Sequence, residues 1–258
     1  MATAVAQFTP KPKKHTSVVE QHFFTAMAST MLVIGLVGFA PSLVQTSERR
    51  APVSLLVAAH GLLFFGWLVI FFIQSRLIAT DRVAVHRRFG IAAAFVLALM
   101  VPLSFAATVV MVRRGYDLSG DLMRTVPLRL GRDVLWQSIF QFGDLLLFTT
   151  LASAAILYRR YPEIHKRLVL FANVALMGAP LAHLAGHTPR LLPFVVPVIQ
   201  IPVAAFLLAT VVRDLLLVKK VRPLTASLSV VIFLFGPICA NVIGPSASWH
   251  RVAQWLAR

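Results

Sequence analysis

The chain has 258 residues, 58% of them hydrophobic and 13% charged, and a mean hydropathy of +0.80. So little polar surface excludes a water-soluble domain of this length and indicates a chain that crosses a membrane several times. The formal charge of +16 sits in short basic clusters between apolar runs, where it sets topology and meets the anionic headgroups of a lipid bilayer; this pattern argues against nucleic acid as a partner.

Residues 1–21 are polar, carry Lys11, Lys13 and Lys14, and read as an N-terminal cytoplasmic tail. The apolar run from Phe23 to Val44 is too long for the core of a signal peptide, and Ala40-Pro41 is a poor cleavage junction, so a retained first helix is expected. Further spans are expected at about 53–78, 89–112, 134–157, 167–187, 193–213 and 224–244. Each is close to the roughly 20 residues that an α-helix needs to cross about 30 Å of hydrocarbon. The expected fold is therefore all-α, an integral membrane bundle of seven transmembrane helices over residues 22–245. Pro193, Pro197 and Pro202 predict a kink in the sixth span. Residues 246–258, with Trp249, His250 and Trp255, read as a short amphipathic tail at the membrane interface.

Fifteen of the 25 lysines and arginines fall on the side of the N-terminus and ten on the other, which predicts N-in, C-out. Arginine outnumbers lysine by nineteen to six, the habit of a GC-rich bacterial genome, and the expected location is a bacterial inner (plasma) membrane, with a periplasmic C-terminus. The sequence also echoes itself. Leu62-Leu63-Phe64-Phe65 leads to His86-Arg87-Arg88, then Met100 and Pro102; Leu145-Leu146-Leu147-Phe148 leads to His165-Lys166-Arg167, then Met177 and Pro180. Spans 2–3 and 4–5 thus read as a repeated helical hairpin.

An ionisable side chain within the bilayer needs a partner or a task. Of nine acidic residues, Asp144 is the one expected well inside a span, about 15 Å below the outer end of helix 4 at 1.5 Å per residue. Gln137 and Gln141 precede it on the same helical face, forming a polar stripe that leads inward. His60, His183 and His187 fall in the outer half of the expected bundle, and His86 and His165 at the inner ends of helices 3 and 5. On a straight helix His165 and His183, eighteen residues apart, would share one face. Cys239, the single cysteine, rules out an intrachain disulfide and a thiolate cluster.

Two chemistries suit these residues. In the first, imidazoles from separate helices hold haem b, His60 with His183 or His187 on the outer side and His86 with His165 on the inner, with Asp144 as proton acceptor. Such a protein would move electrons across the membrane, with quinone or another membrane protein as partner. In the second, His60, His183, His187 and Asp144 hold zinc or iron in a membrane hydrolase or oxygenase, since His-x-x-x-His presents two imidazoles on one helix face. A third reading is non-catalytic: an assembly factor or transporter using Gln137, Gln141 and Asp144 as a polar path. The loop from Arg113 to Asp133, with Asp117 and Asp121, reads either as a solvated connector or as a lid over the outer polar cluster.

At His86-Arg87-Arg88-Phe89-Gly90 and His165-Lys166-Arg167-Leu168 the chain resembles uncharacterised bacterial multi-pass inner-membrane proteins with repeated His-Arg/Lys-Arg helix starts, themselves distantly similar to membrane cytochromes b. The resemblance covers about 55–187 and implies a helical bundle in which these histidines merit testing. It implies no particular reaction.

Overall fold

A computed structural model of the protein describes residues 18–44, 51–121, 133–188 and 195–258. The expected tail up to residue 17, residues 122–132 of the long loop, and Pro193 lie outside the described residues.

Helices α1 (Val18–Val44), α2 (Leu55–Ala79), α3 (Val83–Arg114) and α4 (Val134–Leu157) are followed by a broken pair, α5 (Pro162–Ala175) and α6 (Gly178–His187). Then come α7 (Val195–Val218), α8 (Pro223–Ile238) with a π-helical turn at Cys239–Ile243, and α9 (Ala247–Leu256). Among the described residues seven stretches are long and apolar enough to span a membrane, α5 and α6 together forming the fifth and α8 with its π turn the seventh. The protein is thus a multi-pass, all-helical membrane bundle. Helices satisfy their own backbone groups, as hydrocarbon demands. Large apolar side chains such as Leu62, Leu99, Leu146 and Leu208 are exposed on its outside, the arrangement a lipid solvent favours.

Local chemistry fixes the ends. Asp133 caps α4 by accepting from Trp136 N at 2.7 Å, and Ser246 caps α9 by accepting from Trp249 N at 3.1 Å. Pro162 and Pro223 start α5 and α8 at the position where a missing N–H costs nothing. Gly115 ends α3 with φ +76°, a left-handed conformation that glycine adopts without strain. Helices 3 and 5 start earlier than expected, at Val83 and Pro162, so His86 and His165 lie inside the first turns.

The fifth span is the central one. In it 67% of the apolar stretch is buried against other helices, against 11–39% in the other six. Phe171 and Met177 of this span share the buried core with Met31, Met100 and Phe148 from other helices. Its interruption traces to Pro180, which cannot donate to Leu176 O. The chain tightens there into three-residue bonds, Leu176 N to Asn173 O and Met177 N to Val174 O, before α6 resumes. The unbroken face expected between His165 and His183 is therefore interrupted. Asn173 bridges just before the break, accepting from Trp67 Nε1 at 3.2 Å and donating to Val169 O at 2.8 Å.

On the side where α1 begins, called here the near face, a buried ion-pair cluster ties α5, α7 and α8 together. Arg167, 1% exposed, donates to Asp214 Oδ1 at 2.6 Å; Asp214 is fully buried. Thr225 Oγ1 and Arg222 N donate to Asp214 Oδ2 at 2.6 and 3.2 Å, and Arg167 also reaches Glu163 Oε2 at 2.8 Å. This corrects the expectation that Asp144 would be the one acid well inside a span. Helix α7 runs on to Val218, five residues beyond the expected end, which puts Asp214 a full turn inside it.

Removing one member of such a pair strands a buried charge and costs about 3–5 kcal/mol, whereas replacing both with apolar groups is often neutral. Asp214→Ala should therefore sharply lower the thermal unfolding midpoint in detergent, and Arg167→Met with Asp214→Leu should recover part of the loss, the rest staying with buried Arg213, whose Nη1 lies 3.3 Å from Asp214 Oδ1. A double variant no more stable than the single one would place the stability elsewhere.

Candidate metal centre

On the far face, three segments distant in sequence converge. Helix α1 approaches α6 so closely that a Cβ on Gly38 would lie 2.7 Å from Pro180 Cβ and 2.8 Å from its carbonyl carbon. Only glycine allows that approach. One turn on, on the same face of α1, Ser42 Oγ lies 3.2 Å from His183 Nδ1 and 3.1 Å from His187 Nε2. Phe39 packs on His183 at 4.7 Å between ring centroids, and the two imidazoles stack at 6.2 Å with 22° between planes.

The third segment follows Gly115. Asp117 and Asp121 are buried although they lie in a polar loop. Asp117 Oδ2 accepts from Gly120 N at 2.9 Å and from Ser119 Oγ at 2.5 Å, which folds the chain back on itself. Asp121 is thereby turned toward α6, its Oδ2 3.4 Å from His187 Nε2, with side chains 1% and 6% exposed respectively. That oxygen is buried and accepts no hydrogen bond among the described residues.

One ligand atom from each of Asp121, His183 and His187 lies within 4.8 Å of the other two. Two ligands of a tetrahedral zinc with bonds of about 2.0–2.1 Å stand roughly 3.3 Å apart. The spacing of 3.4 Å between His187 Nε2 and Asp121 Oδ2 is close to that edge length. Among the described residues Asp121 Oδ2 is buried and accepts no well-aligned hydrogen bond, with His187 Nε2 as its neighbour at 3.4 Å, a setting that suits a cation. A Ser–His–Asp relay does not fit. It needs serine and aspartate on opposite imidazole nitrogens, and here both address Nε2 of His187.

The other residues singled out from sequence fall elsewhere. His60 lies outside this cluster: Ser104 Oγ, which donates to Met100 O at 2.6 Å, stands 3.3 Å from His60 Nδ1, so the ring donates and its Nε2 carries the lone pair. Asp144 faces Gly178 at mid-depth, where a Cβ would sit 3.9 Å from its Oδ2, and is not among the grouped ligands. The carboxylate beside His183 and His187 is Asp121. His86 and His165 do come together, at 6.4 Å between centroids and 78° between planes. His165 Nδ1 donates to Ala155 O at 2.8 Å, and the Gln74 amide, oriented by its partners, donates to His86 Nδ1 at 2.7 Å. Sequence reasoning passed over Ser42, a lone serine at a helix end, and weighed Asp121 only within a candidate lid.

Burial pushes the Asp121 carboxyl up, but the hydroxyls of Ser119 and Ser42 and the charges of His183 and His187 outweigh it and hold the group below the ordinary range. A depressed folded-state value adds stability above the ordinary carboxylate value, and that stability is lost as pH falls through the depressed one. Acidification below about pH 4 should therefore free Asp121 from Ser119, Ser42 and the two histidines, read as a fall in the thermal unfolding midpoint between about pH 4 and about pH 2 that the Asp121→Asn variant does not share. An equal fall in that variant would mean that Asp121 contributes nothing to it.

Set beside known protein families, curated proteins and solved structures, the chain matches none of them, so the reading of this site rests on its own geometry.

Proposed function

We propose that the protein is a metal-dependent membrane enzyme of hydrolytic type, with zinc held by Asp121, His183 and His187 at the far face. The observation that carries this reading is the convergence of one ligand atom from each of those three residues within 4.8 Å of one another, on segments distant in sequence. Three protein ligands with a further position open to water or substrate is the usual plan of a catalytic zinc, and a histidine–carboxylate set also admits iron. Zinc would supply water activated near neutral pH and polarisation of a substrate oxygen. The chain's own residues do the rest. Ser42 orients His183 through its Nδ1, Asp117 and Ser119 hold the turn that delivers Asp121, and Phe39 packs on the His183 ring.

The basic asymmetry supports a cytoplasmic near face, which puts the site on the periplasmic side of a bacterial inner membrane. A haem b protein serving electron transfer with quinone is the second reading. Its support is the close His86–His165 pair, because His183 is engaged with Ser42 and His187 while His60 is held by Ser104.

Purified protein loaded with zinc and washed should retain one equivalent by elemental analysis and show no Soret band. His183→Ala and His187→Ala should each weaken zinc by more than the roughly 100-fold that loss of an outer-shell partner can cost. Gly38→Val removes no ligand but forces α1 off Pro180, and should weaken zinc about 10-fold or more while the bundle stays folded. Zinc that binds equally well to the His183→Ala variant would sink the proposal. A Soret band lost in His86→Ala and His165→Ala would favour haem instead.

A further inference from the structure

A second polar feature lies outside the metal centre, on α4. Gln137, Gln141 and Asp144 follow one another at four and three residues, so they form one stripe running inward from the far face. The stripe points into the bundle. Leu145, Phe148, Leu151 and Ala152 on the same side are buried, whereas Leu146, about 200° around the helix from Asp144, is exposed. Yet among the described residues its acceptor oxygens lack protein partners. Gln137 Oε1 and Gln141 Oε1 are buried without a hydrogen-bond partner, and the Asp144 carboxyl makes no hydrogen bond or ion pair among the described residues. Asp144 faces inward yet is only partly buried, which leaves room for a water-sized molecule against it.

The helices around that space are irregular at the same depth. Helix α6 presents Gly178, just after the break, 3.9 Å from Asp144 Oδ2 when a Cβ is added. The opposing wall is the π turn at the end of α8, where Cys239 is the titratable side chain that faces Asp144 among the described residues. Pro180 and Pro237 leave Leu176 O and Phe233 O without their helical donors. Interrupted backbone at membrane depth is tolerated where it lines protein or water, and buried polar atoms without protein partners are where ordered water is found.

We propose that Gln137 and Gln141 line a water-filled inlet from the far face, ending at Asp144, which exchanges a proton with the aqueous phase on that side. The step is simple: the carboxylate takes a proton from a hydronium ion and leaves water, and it returns the proton by the reverse route. Gln137 and Gln141 act as positioning residues that hold the water chain, and no metal takes part. The inlet is separate from the zinc proposal, because it uses neither Asp121 nor either histidine of that site.

Infrared difference spectroscopy of the full chain in lipid vesicles tests this directly. The protein minus its Asp144→Asn variant should show a protonated-carboxyl C=O band that shifts in heavy water and fades by about tenfold per pH unit once the group titrates. In the Gln137→Leu, Gln141→Leu double variant the same band should persist, but its deuterium exchange should slow by more than about tenfold, as it would if ordered water carried the proton. A band insensitive to heavy water, a carboxylate ionised at every pH, or unchanged exchange in the double variant would each overturn the inlet. If the double variant fails to fold, the pH series and heavy-water shift of the unmodified chain still decide.

Discussion

The close approach of α1 to the fifth span at Gly38 and Pro180 is the contact on which the far-face architecture depends. Pro180 both breaks the span and supplies the surface that Gly38 meets. With the backbones this near, Ser42 arrives one turn later within hydrogen-bonding distance of His183 and His187. A side chain at position 38 would separate the helices, and the hydroxyl would no longer bridge two imidazoles. Packing and chemistry meet here, because close approach through a small residue is a main way for helices to associate when lipid tails are as apolar as their own side chains.

The two ends of the bundle handle buried charge differently. At the near face every oxygen of the Asp214 and Glu163 carboxylates accepts from Arg167, Thr225, Lys166 or the Arg222 backbone N–H, so the cost of desolvation is offset by several contacts and the cluster acts as a clamp. At the far face, among the described residues, Asp121 Oδ2 is buried without a well-aligned donor. Saturated clusters serve stability. Unsaturated ones hold free energy that a ligand can recover, and this is why the far face carries the functional reading.

Much of this was legible in the sequence, for reasons that differ from residue to residue. All seven spans follow from runs of apolar residues near the thickness of a bilayer, because hydrocarbon leaves helices as the answer. Pairing His183 with His187 needed only a four-residue spacing, and pairing His86 with His165 followed from two similar hairpins. The acid beside His183 and His187 was not legible. Asp144 drew attention because it lay deep in a span, whereas Asp121 lies in a loop whose fold depends on Ser119 and Gly120 bonding to Asp117. Ser42 carries no local signal, since its role exists only after α1 has docked. Asp214 was masked by an expected helix end at residue 213; the partners that let α7 continue past it, Arg167 and Thr225, come from other helices. Local patterns therefore revealed elements and depths, and cross-helix chemistry stayed hidden.

The broken fifth span has a mechanical consequence. Its first half is fastened by Arg167, whereas α6 is a ten-residue segment joined to it by a tight turn. That short rod carries His183 and His187 at one end and Gly178, beside Asp144, at the other. A lever moves least at its pivot. Because Gly178 adjoins the turn, a tilt of this rod would displace the histidines while leaving the surroundings of Asp144 nearly in place. The break thus insulates the inner place from events at the outer one.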